Sequence, residues 1–344
     1  MKIDPFFCSY LDFAEQKMQL DHQPMVVIER VYTHQLKQFN TANYPRESID
    51  DVATSEEIKQ AIRKENDNQD YVIEVDKTSL HKYMYLVDYP VAWTYEFTAE
   101  EVQILMLYAR VGSLSGRVPR SPDGSAFDNR EDLNQVARRL SESWKEGEWF
   151  YRFTRASPKD GLRAFPGTDA KTVIAAIATS KRALQALENG NKILYFVPFR
   201  TDWHVDNEFR VFIRNRIITA VSQYSPYHSN LAHLEDADLL QKLTLIVPFC
   251  YEVLRKISPT NIRDCTIDVL VSNAALPEAK IGKCELIELN TFGYWLAAGA
   301  SLFDWLTDFN KLYGLTSQNA IYFRIANPAT QGTYDPFLQA LEKI

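Results

Sequence analysis

CTIDVLVS at 265–272 and CELIELNTF at 284–292 are two short apolar runs, each interrupted by acidic residues. Both have the length and β-branched or aliphatic character of strands, and the polar stretch NAALPEAKIGK joins them. Glu288 and Asn290 are two residues apart, so in a strand their side chains share a face. If the runs pair as a hairpin, Asp268 faces them across the ladder. Two carboxylates and one amide oxygen then gather at one place. All are hard oxygen donors, the kind magnesium takes when it bridges nucleotide phosphates. The other reading is that Asp268 and Glu288 are ordinary outward-facing strand residues. Acidic residues are depleted in strands, so their intrusion into two apolar runs weighs toward the metal reading.

Upstream, EFRVFIRNRIITAVSQY at 208–224 reads as a hairpin that turns at Asn215–Arg216 without the usual glycine. Glu208 and Arg210 lie two apart on its first strand. They either face a site or form a surface ion pair worth at most about 1 kcal/mol. LLQKLTLIVPFCYEVLRKI at 239–257 has the spacing of a long amphipathic helix, with Pro248 as a candidate kink.

WFYRFTRASPKDG at 149–161 is a strand, WFYRF, running into a polar, basic turn. Arg152, Thr154, Arg155, Ser157 and Lys159 either cradle phosphate by charge and backbone N–H groups or make a solvated turn. ILYFVPF at 193–199 is another strand. Between these two, GTDAKTVIAAIATSKRALQAL reads as helix in two pieces.

Further out, FTAEEVQILMLYARV begins with the capping-box order at Thr98 and Glu101 and continues with helical apolar spacing. Residues 112–132 form the clearest loop, and LNQVARRLSESWKEG a helix after it. YVIEV at 71–75 alternates like a strand, SEEIKQAIRKENDNQD at 55–70 like a helix with a solvated face. SLFDWLTDFNKLYG at 301–314 reads as a helix followed by irregular chain.

With 344 residues, 46% hydrophobic and 24% charged, the chain can bury a core without disulfide or metal staples. Its formal net charge of -7 argues against general nucleic-acid binding. Cys8, Cys250, Cys265 and Cys284 make no CxxC pair, so a zinc site is not expected; reduced thiols and a cytoplasmic setting are. No run reaches the roughly 20 apolar residues of a membrane span, and the opening residues lack the form of a secretory signal. His204 and Asp206 in WHVD have no nucleophile motif beside them. Neither GxGxxG nor GxxxxGK[ST] occurs.

Three stretches taken in order resemble the cell division cycle protein 123 family: FYRFTRASPKDG at 150–161, VPFRTDWHVDNEFRVFIRNRIITAVSQY at 197–224, and CTIDVLVS with LIELNTFG at 265–272 and 286–293. The resemblance covers about 145–306. It implies an α+β, ATP-grasp fold whose two subdomains hold ATP between them, divided here as 1–145, a core at 146–310 and a tail at 311–344. It implies magnesium on Asp268, Glu288 and Asn290. It places Arg152, with Thr154, Arg155, Ser157 and Lys159, at the phosphates, the 195–199 strand with Val197 and Phe199 at adenine, and Arg200, Glu208 and Arg210 along the cleft. The family often has aspartate at 288 and lysine at 152. After VSQ it commonly has Arg-Asp, where this chain has Tyr224 and Ser225.

The implied function is an ATP-dependent assembly chaperone or binding factor for the translation initiation factor 2 gamma subunit. The alternative is an ATP-grasp ligase joining a carboxylate to an amine, or an RNA ligase or repair enzyme; fold alone does not choose. Because clustered carboxylates repel before metal arrives, Asp268→Asn is expected to leave the metal-free protein level in stability or more stable.

Overall fold

The computed structural model describes residues 25–32, 71–121, 123, 130–201, 203, 205–225, 231–257, 262–272, 282–293, 296, 299–317 and 320–327. The helix expected at 55–70, Cys8, His204 and most of the loop joining the two deciding strands lie outside them. The fold is mixed α+β. It divides into two compact units, one of residues 79–202 and one of residues 1–78 with 203–344. The expected division at 145/146 falls inside the first of these.

In the unit 79–202, three antiparallel strands run in the order β2 (Trp93–Glu96), β4 (Ile193–Pro198), β3 (Trp149–Phe153). Helices α3 (Ala99–Ser115), α4 (Glu131–Glu142), α5 (Ala170–Ile177) and α6 (Lys181–Glu188) complete it after the short α2 (Leu80–Tyr83). α3 starts where the sequence signals it. The Glu101 N–H donates to Thr98 Oγ1 at 3.2 Å, and the Thr98 N–H to Glu101 Oε2 at 2.8 Å. It ends at Gly116, which takes the left-handed conformation with φ 64°. α5 and α6 are the two expected pieces, separated because Asp169 caps one and Ser180 the other. The core is aromatic: Trp93 stacks on Phe196 at 3.7 Å, and Trp144 meets both edge-on.

The other unit is built on a six-stranded sheet, ordered β1 (Met25–Tyr32), β9 (Ala320–Asn327), β6 (Ile217–Gln223), β5 (Glu208–Arg214), β7 (Cys265–Ser272), β8 (Lys283–Asn290). β5 and β6 form the expected hairpin. Its two turn residues, Asn215 and Arg216, both have positive φ, 49° and 62°, the twist a two-residue hairpin needs. Asn tolerates this well, and Arg216 is compensated by a backbone bond to Arg263 at 2.9 Å and a guanidinium bond to Ile262 O at 3.1 Å.

α7 (Asp236–Lys256) packs on β7 and β8 and continues through Pro248. The opposite face of the sheet carries Phe212, Ala220 and Tyr322 under Phe292, Phe303 and Trp305 from the segment after β8. Its described residues include the four-residue helix α8 (Phe309–Leu312).

Two local expectations are corrected. Residues 71–75 lie in a helix, α1 (Tyr71–Lys77), with an i,i+3 ion pair between Glu74 and Lys77. A five-residue apolar run is too short for periodicity to separate strand from helix. Residues 320–327, expected as irregular chain, form β9, which sits inside the sheet, parallel to both β1 and β6.

Candidate functional site

The two deciding runs pair antiparallel, with Asp268 opposite Glu288 and Thr266 opposite Asn290. Just beyond, the register shifts by one residue, leaving Ile287 as the extra residue on β8. On the other side of β7, Arg210 stands opposite Asp268. One rung therefore carries Arg210, Asp268 and Glu288 on three adjacent strands.

Asp268 is fully buried and Arg210 nearly so. Arg210 Nε donates to Asp268 Oδ1 at 2.7 Å, and Nη2 to Oδ2 at 2.6 Å, a bidentate fork. Its third nitrogen, Nη1, donates to Gly299 O at 2.7 Å. The Tyr224 ring lies 5.0 Å from its Cζ. Burial alone would lower the pKa of this guanidinium. The charge and hydrogen bonds of Asp268, helped by Tyr224 and Glu288, more than offset that and push its pKa above the usual arginine range. Asn290 Nδ2 donates to Asp268 Oδ2 at 3.0 Å and to Glu288 Oε1 at 3.2 Å. Asp268, Glu288 and Asn290 are thus together, as the sequence reading required.

The rung extends across the whole sheet. Arg210 is opposite Ser222, Ser222 opposite Arg324, and Arg324 opposite Glu29. The row reads Glu29, Arg324, Ser222, Arg210, Asp268, Glu288 over all six strands. The segment 299–311 is stitched onto it. Besides Gly299 O, the Leu302 N–H donates to Ser222 Oγ at 3.1 Å, and Arg324 donates to Leu302 O at 3.2 Å and to Asp308 Oδ1 at 2.6 Å. Lys311 and Arg324 bond the two oxygens of Glu29 at 2.5 and 2.6 Å.

Among the described residues no group of three His, Cys, Asp or Glu side chains gathers as a metal site; the third donor here is an amide. The donor set still suits a hard cation. A carboxylate has roughly four lone-pair directions, so an arginine fork does not bar a metal. One buried polar atom lies beside the set without a partner among the described residues: Thr266 Oγ1, two residues along β7 from Asp268 and opposite Asn290.

Glu208 is buried at the start of β5, two residues from Arg210. The other expected nucleotide residues belong to the unit 79–202. Arg152 is buried on β3, opposite Tyr195, and Nε donates to Phe153 O at 3.3 Å. The turn after β3 is braced. The Leu80 N–H donates to Thr154 O at 3.0 Å, Arg155 Nε to Ser79 Oγ at 3.3 Å, and Arg182 Nε to Ser157 O at 3.0 Å. Asp160 accepts from Ser180 Oγ at 2.5 Å and from the Lys181 N–H at 3.0 Å, tying the turn to the start of α6. Lys159 is exposed between these anchors. Val197 is buried on the central strand β4, opposite Phe150; Phe199 follows, its N–H bonded to Glu148 O at 2.9 Å, and then Arg200.

Residues 191–333 match the model of the D123 family. The match takes in β4 to β9, and so Val197, Phe199, Arg200, Glu208, Arg210 and the Asp268–Glu288–Asn290 set; Arg152 and its turn precede it. A CDC123-like protein of Acanthamoeba polyphaga mimivirus is 27% identical over 185 residues, which cover 52% of this chain and 54% of the viral protein. The chain spans about half the length of that curated relative. Among solved structures, Cdc123 from Schizosaccharomyces pombe has a TM-score of 0.48 at 14% identity, covering 73% of this chain and 96% of the yeast chain; a C-terminally truncated form also has 0.48.

Sequence reasoning missed the rest of the polar row. Tyr224 is read from the structure as an aromatic face against Arg210. Gly299 is needed because a Cβ there would lie 2.8 Å from Arg210 Nη1; the glycine was visible in the sequence, but nothing local told what approached it. Glu29 and Arg324 are 295 residues apart, beyond any periodicity argument. Among the described residues no helix is long and apolar enough to cross a membrane, and Cys250, Cys265 and Cys284 are buried and free of disulfides.

Proposed function

We propose that this chain binds ATP with magnesium as an ATP-grasp protein and works as an ATP-dependent binding or assembly factor in the cytoplasm. The partner implied by the family resemblance is the translation initiation factor 2 gamma subunit. The observation that supports this reading most is the Arg210–Asp268–Glu288 rung with Asn290 beside it. Two carboxylates and an amide converge there, and a buried guanidinium fixes the more buried carboxylate from behind.

In this reading Asp268, Glu288 and Asn290 hold the metal and Arg210 keeps Asp268 in one orientation. Bound magnesium would supply neutralisation of the polyphosphate charge. Glu288 reaches one methylene further than aspartate from the edge strand. Arg152, Thr154, Arg155, Ser157 and Lys159 offer cationic and hydroxyl contacts to phosphate. The backbone at Val197 to Phe199 is the expected contact for adenine, and Arg200 and Glu208 are the further charged contacts the resemblance implies. Fixed dipoles and charges of this kind bind a polyphosphate at little reorganisation cost.

Titration calorimetry with ATP, with and without magnesium, tests the reading: affinity should rise with the metal, and equal affinity in both conditions would sink it. Nucleotide analysis after incubation with host extract then separates the function classes. Intact ATP beside a captured protein fits a binding factor; conversion to ADP or AMP with an acceptor fits a ligase.

A further inference from the structure

Helix α6 is capped twice, once from within its own sequence and once from outside it. Ser180 is its N-cap, with Oγ accepting from the Ala183 N–H at 2.9 Å. The second acceptor is Asp160, twenty residues earlier in the turn after β3. Asp160 Oδ1 accepts from Ser180 Oγ, and Oδ2 from the Lys181 N–H at 3.0 Å and the Arg182 N–H at 3.3 Å. A carboxylate is favoured there, because a helix start presents unpaired N–H groups and the positive end of the dipole. The helix returns the contact, since Arg182 Nε donates to Ser157 O at 3.0 Å.

Between the two ties, at Ser157 and Asp160, lies Lys159, which is exposed. The chain beyond is held by α5. The Leu162 N–H donates to Thr179 Oγ1 at 2.8 Å, and a Cβ on Gly161 would lie 2.2 Å from Ala176 O. α6 does not need Asp160 in order to begin. Ser180 already satisfies one first-turn N–H, and those of Lys181 and Arg182 are at an exposed place where water serves them. What Asp160 adds is the tie between turn and helix. That tie fixes the main chain from which Lys159 projects. A lysine carries its charge on a flexible four-carbon stem, and ordering such a side chain on a ligand costs entropy. Fixing the base of the stem in advance lowers that cost.

We propose that Asp160 is a positioning residue for Lys159, tying the turn to α6 so that the Lys159 ammonium meets the phosphates of ATP from a fixed main chain. This rests on the ATP reading above and adds to it a residue that does not touch the nucleotide. Both Asp160 oxygens are committed to the start of α6, and a bare carboxylate at that place would repel phosphate. The adjacent pair Lys159–Asp160 thus divides two tasks. The lysine carries the charge for the ligand, and the aspartate holds the turn.

The test is a double-mutant cycle in the full chain: Lys159→Ala, Asp160→Ala and the two combined. Calorimetry gives the affinities for ATP and for adenosine, both in magnesium, and thermal midpoints check that each variant is folded. Lys159→Ala should weaken ATP binding about 10-fold or more, the worth of a charge-assisted contact. Asp160→Ala should weaken it roughly twofold to tenfold, the range for ordering one long side chain. Adenosine affinity should be unchanged in both. The double variant should bind ATP no more weakly than Lys159→Ala alone, because a residue that acts only through Lys159 has nothing left to position. Losses that add, or an equal loss for ATP and adenosine, overturn the inference. So does wild-type ATP affinity in Asp160→Ala, even with a lowered midpoint, since Asp160 would then be a cap alone. Unchanged affinity in Lys159→Ala, in a protein that binds ATP, also overturns it and leaves the ATP reading standing. A wild type that does not bind ATP overturns both.

Discussion

Arg210 grips Asp268 by two near-parallel hydrogen bonds, at 2.7 and 2.6 Å, across the β5–β7 rung, with Asp268 wholly removed from water. This reverses the stability expected of Asp268→Asn from carboxylate repulsion alone. The amide would set an N–H₂ against a buried guanidinium. Breaking one side of a buried pair costs about 3–5 kcal/mol, so the metal-free variant should lose on the order of 3 kcal/mol in urea unfolding. Because well-packed apolar replacements of both partners are often tolerated, Arg210→Met combined with Asp268→Leu should regain much of that loss and show no magnesium-dependent ATP binding. A single variant as stable as wild type would mean that the pair is not formed.

Arg152 is buried on β3, so its test must keep the side-chain volume. Arg152→Met should fold, as near-ultraviolet circular dichroism would show, and should bind ATP about 10- to 150-fold more weakly. That is the loss of one charge-assisted contact of roughly 1.5–3 kcal/mol. Unchanged affinity in a folded variant removes Arg152 from the nucleotide contacts.

Gly299→Ala places a methyl 2.8 Å from Arg210 Nη1, while the carbonyl of the same residue accepts that nitrogen's hydrogen. A free arginine would swing aside, but this one is held by Asp268. The expected cost is about 1–3 kcal/mol, typical of overpacking, together with a weaker magnesium effect on ATP affinity. A neutral substitution would show that the 299–302 segment can lift without disturbing Arg210.

Glu29 supplies a pH test away from the proposed site. Burial raises its carboxyl, but the hydrogen bonds and charges of Lys311 and Arg324 outweigh that and hold it below its ordinary 4.5. A carboxyl depressed in the folded state contributes stability above its unfolded pKa, and that contribution is lost as pH falls through the folded value. The stability difference between wild type and Glu29→Gln should therefore be constant above about pH 5 and shrink below about pH 4.5. Urea unfolding from pH 7 to pH 3 measures it; a difference that does not change with pH would mean that Glu29 stays unpaired in solution.

The legible parts of this chain were the local ones. The capping box at Thr98 and Glu101 was read directly, because a cap is decided within four residues. The pairing of Asp268 with Glu288 followed from two strand-like runs joined by a single short loop. The Arg210 fork could not be read, since it depends on β5 lying beside β7 with α7 intervening in sequence. β9 was missed although Ile321, Phe323 and Ile325 alternate with Tyr322, Arg324 and Ala326. Its true partners lie on β1 and β6, and an arginine in mid-strand looks like a surface residue until Asp308 and Glu29 are seen around it.

The parallel insertion of β9 between β1 and β6 has a consequence for how the protein is made. On a ribosome β1 emerges early, and the partner of its Glu29 is synthesised 295 residues later. The antiparallel strands β6, β5, β7 and β8 can zip together as they appear, since each new strand finds an existing neighbour. Among the described residues β1 pairs with β9 alone, and β6 keeps an open edge until β9 arrives. Open strand edges recruit other chains, and late, long-range pairing slows closure. The nascent chain thus passes its most aggregation-prone period with the acidic end of the sheet already assembled and the opposite margin unsealed. Synthesis rate up to β9, rather than the stability of the finished sheet, should govern the yield of folded protein.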